Sequence, residues 1–357
     1  MNLDKRVNSK TKLTGLIGNP LEHTVSPVLQ NSLFSSMNLN GIYIPLSVPK
    51  EGLGHAVNGL KAFRFKGFNV TIPYKSAIFE YLDEVSEEAE LLGAVNTVNI
   101  TEDRLTGESR LCGHNTDGDG FIRAFREQTG TTFADRKVCI LGAGGTARAL
   151  SVKVALEGAR GICIINRTES RAQQLAEKVN QIIKSKADHE VDLLKGSEYE
   201  PTAKSATEPQ NECIKDLSNN PSIKRIKDSP IKISSYSTRP ETTVTAAVSG
   251  SPESLGALKE SDIIINATSI GMYPNIDASP LEDDFPFEPN QIIYDVIYNP
   301  AETKLMSLAR RKGCVAVNGS GMLFYQGVKA FEIWMETTVP PTILNALSAA
   351  FPNFLEA

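Results

Sequence analysis

Residues 137–166 limit the possible folds more than any other stretch of this 357-residue chain. KVCILGAGG reads as an apolar strand entering a glycine-rich turn, TARALSVKVALEGA as a helix ending near Gly158, and GICIINR as a second apolar strand. Strand, helix and strand within about 30 residues make the βαβ unit of a nucleotide-binding half. In its turn, Gly142, Gly144 and Ala147 form GxGxxA, with Ala143, Gly145 and Thr146 between and beside them. The first glycine permits a tight turn, and the second lets the backbone approach a pyrophosphate. The alanine keeps helix and strand close, and the helix N-terminus offers N–H donors and positive potential.

The end of the second strand selects the nucleotide. Sites for NAD place Asp or Glu there, on the ribose 2′-hydroxyl. This chain has Asn166-Arg167-Thr168 instead, with Arg171 one helical turn on. A carboxylate would repel a 2′-phosphate, whereas a guanidinium binds one bidentately. The expected cofactor is therefore NADP.

The length suggests two domains. TGLIGNP, GIYIPLSV and GFNVTIP alternate with helical patterns, one of them opening at Ser26-Pro27, which indicates an α/β layer architecture. SDIIINATS and NQIIYDVIYNP read as further buried strands. Their polar C-terminal ends are where open α/β sheets carry their active sites. The tail from Met322 to Leu355 reads as helix, broken at Pro340-Pro341. From about 185 to 250 the chain is rich in Ser, Lys, Thr and Pro and has no Phe or Trp. Such a stretch buries too little apolar area to offset its ordering entropy, so most of it is expected to be disordered or weakly structured, a solvated linker in preference to a regulatory or docking segment.

A formal net charge of −5 gives no global drive toward nucleic acid or anionic lipid. No apolar run approaches the roughly 20 residues of a membrane span, and the N-terminus lacks a signal core. The cysteines, Cys112, Cys139, Cys163, Cys213 and Cys314, are odd in number and dispersed, so a reducing cytoplasm fits better than a disulfide framework. With four His and no ligand spacing, no metal site is expected.

Three places carry chemistry by residue type. Thr24 and Ser26 put two hydroxyls ahead of a helix whose first residue reads as Pro27, a cradle for a carboxylate, although Ser26 would also serve as a plain N-cap. Lys75 follows NVTIPY at a strand end, where a lysine is ordinarily solvated but, if enclosed, would have its pKa lowered by desolvation and could exchange a proton near neutral pH. Asp117, in NTDG, is by default a turn or cap residue.

The segments GLIGNPLEHTVSP, GFNVTIPYK, GAVNTV, NTDGDGF, GAGGTARA, NRTESRA, NATSIGM, YDVIYNP and NGSGMLFYQG occur in this order and together resemble the shikimate dehydrogenase family. The resemblance covers nearly the whole chain outside about 185–250. It implies an NADP-dependent oxidoreductase acting on a CH–OH group. The reaction would be the reversible reduction of 3-dehydroshikimate to shikimate, on the route to chorismate and aromatic amino acids.

It also implies an α/β substrate-binding domain, 1–117, completed by C-terminal helices at 322–357. A Rossmann-type NADP domain, 118–321, would carry the insert. In the family the positions of Lys75 and Asp117 are the catalytic pair. Paired hydroxyls at the positions of Thr24 and Ser26 bind the substrate carboxylate, and the first is usually Ser. Thr71, Asn96, Tyr298 and Gln326 match further substrate-binding positions, and Asn69 is a polar neighbour. Thr268, Ser269, Val296, Gly319 and Met322 match the surroundings of the nicotinamide and its ribose, though Met322 serves equally as core filler. Glu87 matches a position near the cofactor across the cleft. A cytoplasmic monomer or homodimer is expected, with no nucleic-acid or membrane partner. Two alternatives stay open: a quinate/shikimate dehydrogenase using NAD or NADP, for which the extra methyl of Thr24 leaves room, and a non-catalytic metabolite sensor on the same fold.

Overall fold

The protein is described here from a computed structural model covering residues 7–22, 24–102, 106–196, 224–225 and 242–355. The N-terminal part runs β1 (Lys12–Gly18), α1 (Ser26–Ser36), β2 (Gly41–Ser47), α2 (Leu53–Ala62), β3 (Gly67–Val70), β4 (Glu84–Val85), α3 (Glu87–Leu92), β5 (Thr97–Glu102), β6 (Ser109–His114) and α4 (Asp117–Thr129). It continues with β7 (Lys137–Leu141), α5 (Gly145–Leu156), β8 (Gly161–Asn166), α6 (Glu169–Gly196), β9 (Lys224–Arg225), β10 (Thr243–Val248), α7 (Pro252–Glu260), β11 (Ile263–Asn266), β12 (Ile292–Asp295), α8 (Lys304–Arg311) and β13 (Val315–Asn318). Helices α9 (Ser320–Met335) and α10 (Pro341–Leu355) close the chain.

These strands make two sheets. The first, β2-β1-β3-β5-β6-β4-β9, is mixed: β1 pairs in parallel with β2 and β3, while β5 runs antiparallel to both β3 and β6. Its β1 run is buried along Gly15, Leu16 and Ile17, as expected of a strand covered on both faces. One face packs on α2 through Val57, Leu60, Phe68 and Ile78. The other is covered by α1, α9 and α10 through Leu29, Phe34, Phe331, Trp334 and Leu344. The last two helices thus return to the sheet where the chain begins.

The second sheet is all parallel, in the order β10-β8-β7-β11-β12-β13. Counted from β7, that is 3-2-1-4-5-6, the doubly wound dinucleotide-binding order. Helices α4, α5 and α6 cover one face through Phe121, Phe125, Leu150, Val154 and Val179. Cys139, Ile264, Ile293, Leu305 and Leu308 fill the other. The order reverses between β7 and β11, and a ligand crevice opens at such a switch point beyond the strand C-termini.

The expected insert at 185–250 is corrected at both ends. Helix α6 runs on to Gly196, past the stripe of Ala172, Leu175, Ala176, Val179, Ile182 and Ile183 that its first half buries at helical spacing. TVTAAV is the edge strand β10, in register with β8 from Thr243 opposite Gly161 to Val248 opposite Asn166. It buries Val244 and Ala247, and Asn180 of α6 brackets it, donating to the Val244 carbonyl at 2.8 Å and accepting from its N–H at 3.1 Å. Six residues with small side chains vanish into the composition of their polar flanks. Lys224–Arg225 pairs with β4, and the rest of the stretch lies outside the described residues.

Candidate active site

A continuous hydrogen-bonded chain of side chains crosses the C-terminal end of β3 and the N-terminal end of β5. Lys75, in the loop after β3, donates to Asp117 Oδ2 at 2.6 Å, and both groups are half-buried. Asp117 opens α4, where its backbone N–H is held by Asn115 Oδ1 at 3.1 Å. Its other oxygen accepts from Asn96 Nδ2 at 2.8 Å. Asn96 is buried; its Oδ1 accepts the Thr116 N–H at 2.8 Å, and its Nδ2 lies 3.4 Å from Gln326 Oε1 on α9. Asn69 Nδ2 donates to the Asn96 carbonyl and to Thr97 Oγ1, while Asn69 Oδ1 accepts from Tyr43 at 2.8 Å. The Tyr43 hydroxyl also meets the Ser26 side chain, and burial pushes its pKa far above the phenol range. Buried polar groups linked this way are locked in orientation, because each lost partner leaves another unsatisfied.

This network joins Ser26, Asn69, Asn96, Lys75, Asp117 and Gln326. Thr24 adjoins it, its Oγ1 accepting the Ser26 N–H at 3.4 Å. Thr71 follows β3 beside Gly18, where a Cβ would lie 2.3 Å from the Thr71 methyl. The reading of Pro27 as the first helical residue is corrected: Ser26 itself opens α1, with Val25 at the cap position, and the Ser26 hydroxyl meets Tyr43. Tyr298 stands in the loop after β12, 37% exposed, with no hydrogen bond to a described residue. Desolvation raises its pKa.

The dinucleotide side is built from backbone. Gly142 has φ +108°, a region that disfavours any side chain, and a Cβ there would lie 3.0 Å from Thr268 Cγ2 and 3.1 Å from the Ala267 carbonyl. The glycine turn and the end of β11 are therefore in contact at the switch point. A Cβ at Gly144 or Gly145 would meet open space, and no side chain caps the N-terminus of α5. That open cradle of amide donors suits a pyrophosphate. At the end of β8, Asn166 donates to the Thr168 carbonyl at 3.0 Å. Arg167 and Arg171 are exposed and form no ion pair with any described residue. The residues present therefore fit a dinucleotide with a 2′-phosphate.

Thr268 is fixed by Asn266, whose Oδ1 accepts its hydroxyl at 2.6 Å, and Ser269 follows it at the surface. Asn266 in turn donates to Asp295 Oδ1 at 3.0 Å, and Thr303 donates to Asp295 Oδ2 at 2.7 Å. Burial raises the Asp295 carboxyl to about 6, opposed by those hydrogen bonds and by the Ile297 N–H. Gly319 is forced by close approach, since a Cβ would sit 2.0 Å from the Val296 carbonyl. Val296 and Met322 both pack against the core of the second sheet.

Helix α9 joins the two sides. Gly319 and Met322 lie at its start by Val296, and Gln326, about 6 Å further along the axis, reaches Asn96. Glu87 is not brought to this end. It pairs with Lys186 of α6 at 3.3 Å, about 22 Å along that helix from Arg171. The N-terminal end of α3 faces the third turn of α5, and only its far end, Gly93, approaches Arg148 in the first turn. Sequence reasoning passed over Tyr43, Asn115, Thr116, Asn266 and Asp295. Asn115 and Thr116 flank Asp117 in a singled-out motif, and Asn266 and Asp295 end strands already read as buried. Tyr43 had no local signal.

Among the described residues, no helix is long and apolar enough to cross a membrane. The family model for the shikimate dehydrogenase substrate-binding domain matches residues 16–98, and that for shikimate/quinate 5-dehydrogenase matches 125–221. The NADP(+) shikimate dehydrogenase of Methanopyrus kandleri is 36% identical over 345 residues, 97% of each chain. The solved shikimate 5-dehydrogenase of Listeria monocytogenes, in complex with shikimate and NAD, superposes with a TM-score of 0.73 at 31% identity, covering 96% of this chain and 98% of that one. A shikimate dehydrogenase solved with NADP+ gives 0.71 at 32% identity, covering 97% and 98%.

Proposed function

The chain belongs to the shikimate dehydrogenase family, and from that premise we propose that it is an NADP-dependent oxidoreductase interconverting 3-dehydroshikimate and shikimate. The observation that carries this reading is the Lys75–Asp117 pair, fixed through Asn96 to Gln326 on the helix that begins at the dinucleotide side.

NADP, when bound, takes up or supplies the hydride. The amides of Gly144, Gly145 and Thr146 hold its pyrophosphate, Arg167 and Arg171 its 2′-phosphate, and Thr268, Ser269, Val296, Gly319 and Met322 border its nicotinamide end. Thr24 and Ser26 bind the substrate carboxylate, the Ser26 hydroxyl turning from Tyr43 to do so. Asn96, Thr71, Gln326 and Tyr298 line the ring. As the carbonyl is reduced, negative charge develops on its oxygen. The Lys75 ammonium stabilises that charge and donates the proton, and in the oxidative direction Lys75 accepts it. Asp117 orients Lys75 and accepts from a neighbouring ring hydroxyl. Water then reprotonates Lys75. A site that pairs with each hydroxyl discriminates against analogues lacking one. A cytoplasmic location agrees with the dispersed cysteines, of which Cys112, Cys139, Cys163 and Cys314 are free.

Initial rates with shikimate and quinate, each with NADP and NAD, test the proposal. Turnover of shikimate with NADP at the highest kcat/KM supports it. Preferred turnover of quinate, for which the Thr24 methyl leaves room, would establish the quinate reading. Binding without turnover would establish a sensor.

A further inference from the structure

We propose that Lys153 is a positioning residue for the catalytic pair, clamping the first turn of α4 between the two halves of the molecule. The inference rests on the functional reading above. Lys153 lies in the third turn of α5, among buried Leu150, Val152, Val154, Ala155 and Leu156, and its side chain is only 1% exposed. An ammonium taken out of water costs several kcal/mol unless it is paired. Here it is paired twice, with Asp119 Oδ1 of α4 at 2.7 Å and with Glu88 Oε2 of α3 at 2.8 Å. One cation on α5 thus ties α3 of the substrate half to the first turn of α4, where the chain passes from one sheet to the other.

The stem grips as well as the charge. Gly118 has no Cβ, and one placed there would lie 2.6 Å from Lys153 Cγ and 2.7 Å from its Cε. A Cβ at Gly120 would lie 2.6 Å from the Gln326 N and 2.8 Å from the Met322 carbonyl. The motif NTDGDG therefore meets a different partner at each step. Asp117 faces Lys75 and Asn96, Gly118 the Lys153 stem, Asp119 the Lys153 ammonium, and Gly120 the helix carrying Gln326. A turn pinned on α5 and α9 fixes where the Asp117 carboxylate stands. Burial pushes the Glu88 carboxyl up to about 7 against the pull of Lys153 and Lys186, with Asp119 adding to the rise. Asp119 is therefore the partner chosen for the test.

Removing one partner of a buried ion pair leaves the other uncompensated, so Lys153→Met should fold with a lowered Tm, the raised Glu88 carboxyl taking up a proton in place of the lost cation. Its kcat, measured well below its Tm, should fall about tenfold while the KM values for shikimate and NADP change less than about threefold. Asp119→Asn should show the same split, and the double variant should lose no more than Lys153→Met alone. Wild-type kcat in Lys153→Met beside a lowered Tm, or losses that multiply in the double variant, would overturn the proposal. If Lys153→Met does not fold, Asp119→Asn at its partly exposed position decides: reduced kcat at unchanged KM supports the clamp, and wild-type kcat overturns it. Absence of turnover in the wild-type protein would instead remove the functional reading on which the clamp rests.

Discussion

On the substrate side, Asn69, Asn96, Thr116 and Asp117 direct their donors and acceptors at one another and at Lys75; on the dinucleotide side, Gly144, Gly145, Arg167 and Arg171 direct theirs at open space. The first region is pre-organised by side chains, so one substitution disturbs several partners. The second is pre-organised by backbone and by two separately mounted cations, so its side-chain substitutions should act locally and in proportion. A proton must be delivered to one oxygen with hydrogen-bond accuracy. A phosphate presents several oxygens and tolerates more than one arrangement of donors.

The comparison breaks first, if at all, at Lys75. Lys75→Ala should lower kcat by about 10²- to 10⁴-fold with little change in KM, the range for a lost general acid, read by steady-state NADPH absorbance. Near wild-type kcat would remove it from the reaction. Asp117→Asn keeps the shape but leaves Lys75 without its counter-ion, and should cost about 10²-fold in kcat. The double substitution Arg167→Ala, Arg171→Ala should raise the KM for NADP about 10- to 100-fold, since hydrogen bonds to charged groups are worth about 1.5–3 kcal/mol, and leave the NAD kinetics nearly unchanged. An equal loss with both nucleotides would show that these arginines do not read the 2′-phosphate.

Asp295 sharpens the contrast through stability. Its carboxyl is raised from 3.8 to about 6 by burial, so the folded state holds its proton to higher pH than the unfolded chain. The contribution is present below pH 4 and is lost as pH rises toward 6, by about 3 kcal/mol at most. The stability of the wild-type protein relative to Asp295→Asn, from urea melts, should therefore fall across that window and level off above it. The smallest effect is expected from Thr24→Ser, which keeps the hydroxyl and removes a methyl. It should change the shikimate-to-quinate ratio of kcat/KM by less than about tenfold.

The parts of the fold legible in the sequence were those with dense local signals. The βαβ unit at 137–166 declared itself because apolar strands and a glycine turn are contiguous there. Helix α6 beyond Ser185 and strand β10 were lost in a polar stretch, because Val244 and Ala247 bury little by themselves and depend on Asn180 and β8. At the site, the motifs marked Lys75, Asp117 and Asn96, but not the partners that hold them. Tyr43 comes from β2, 26 residues from Asn69, and nothing in GIYIPLS distinguishes it from a core aromatic. Lys153 reads, like Arg148, as a charge on an otherwise apolar helix, and only the fold brings Gly118 and Asp119 beneath it. Glu87 shows the converse: a position can match in sequence while its side chain is drawn to another partner, here Lys186.

The most direct measurement is a crystal structure of the protein with shikimate and NADP+ bound together. The account predicts the shikimate carboxylate on Thr24 and Ser26, a ring hydroxyl on Lys75 and Asp117, the 2′-phosphate on Arg167, and the nicotinamide bordered by Val296 and Met322 at the start of α9. Shikimate seated away from Lys75, or a 2′-phosphate that touches neither Arg167 nor Arg171, would contradict it.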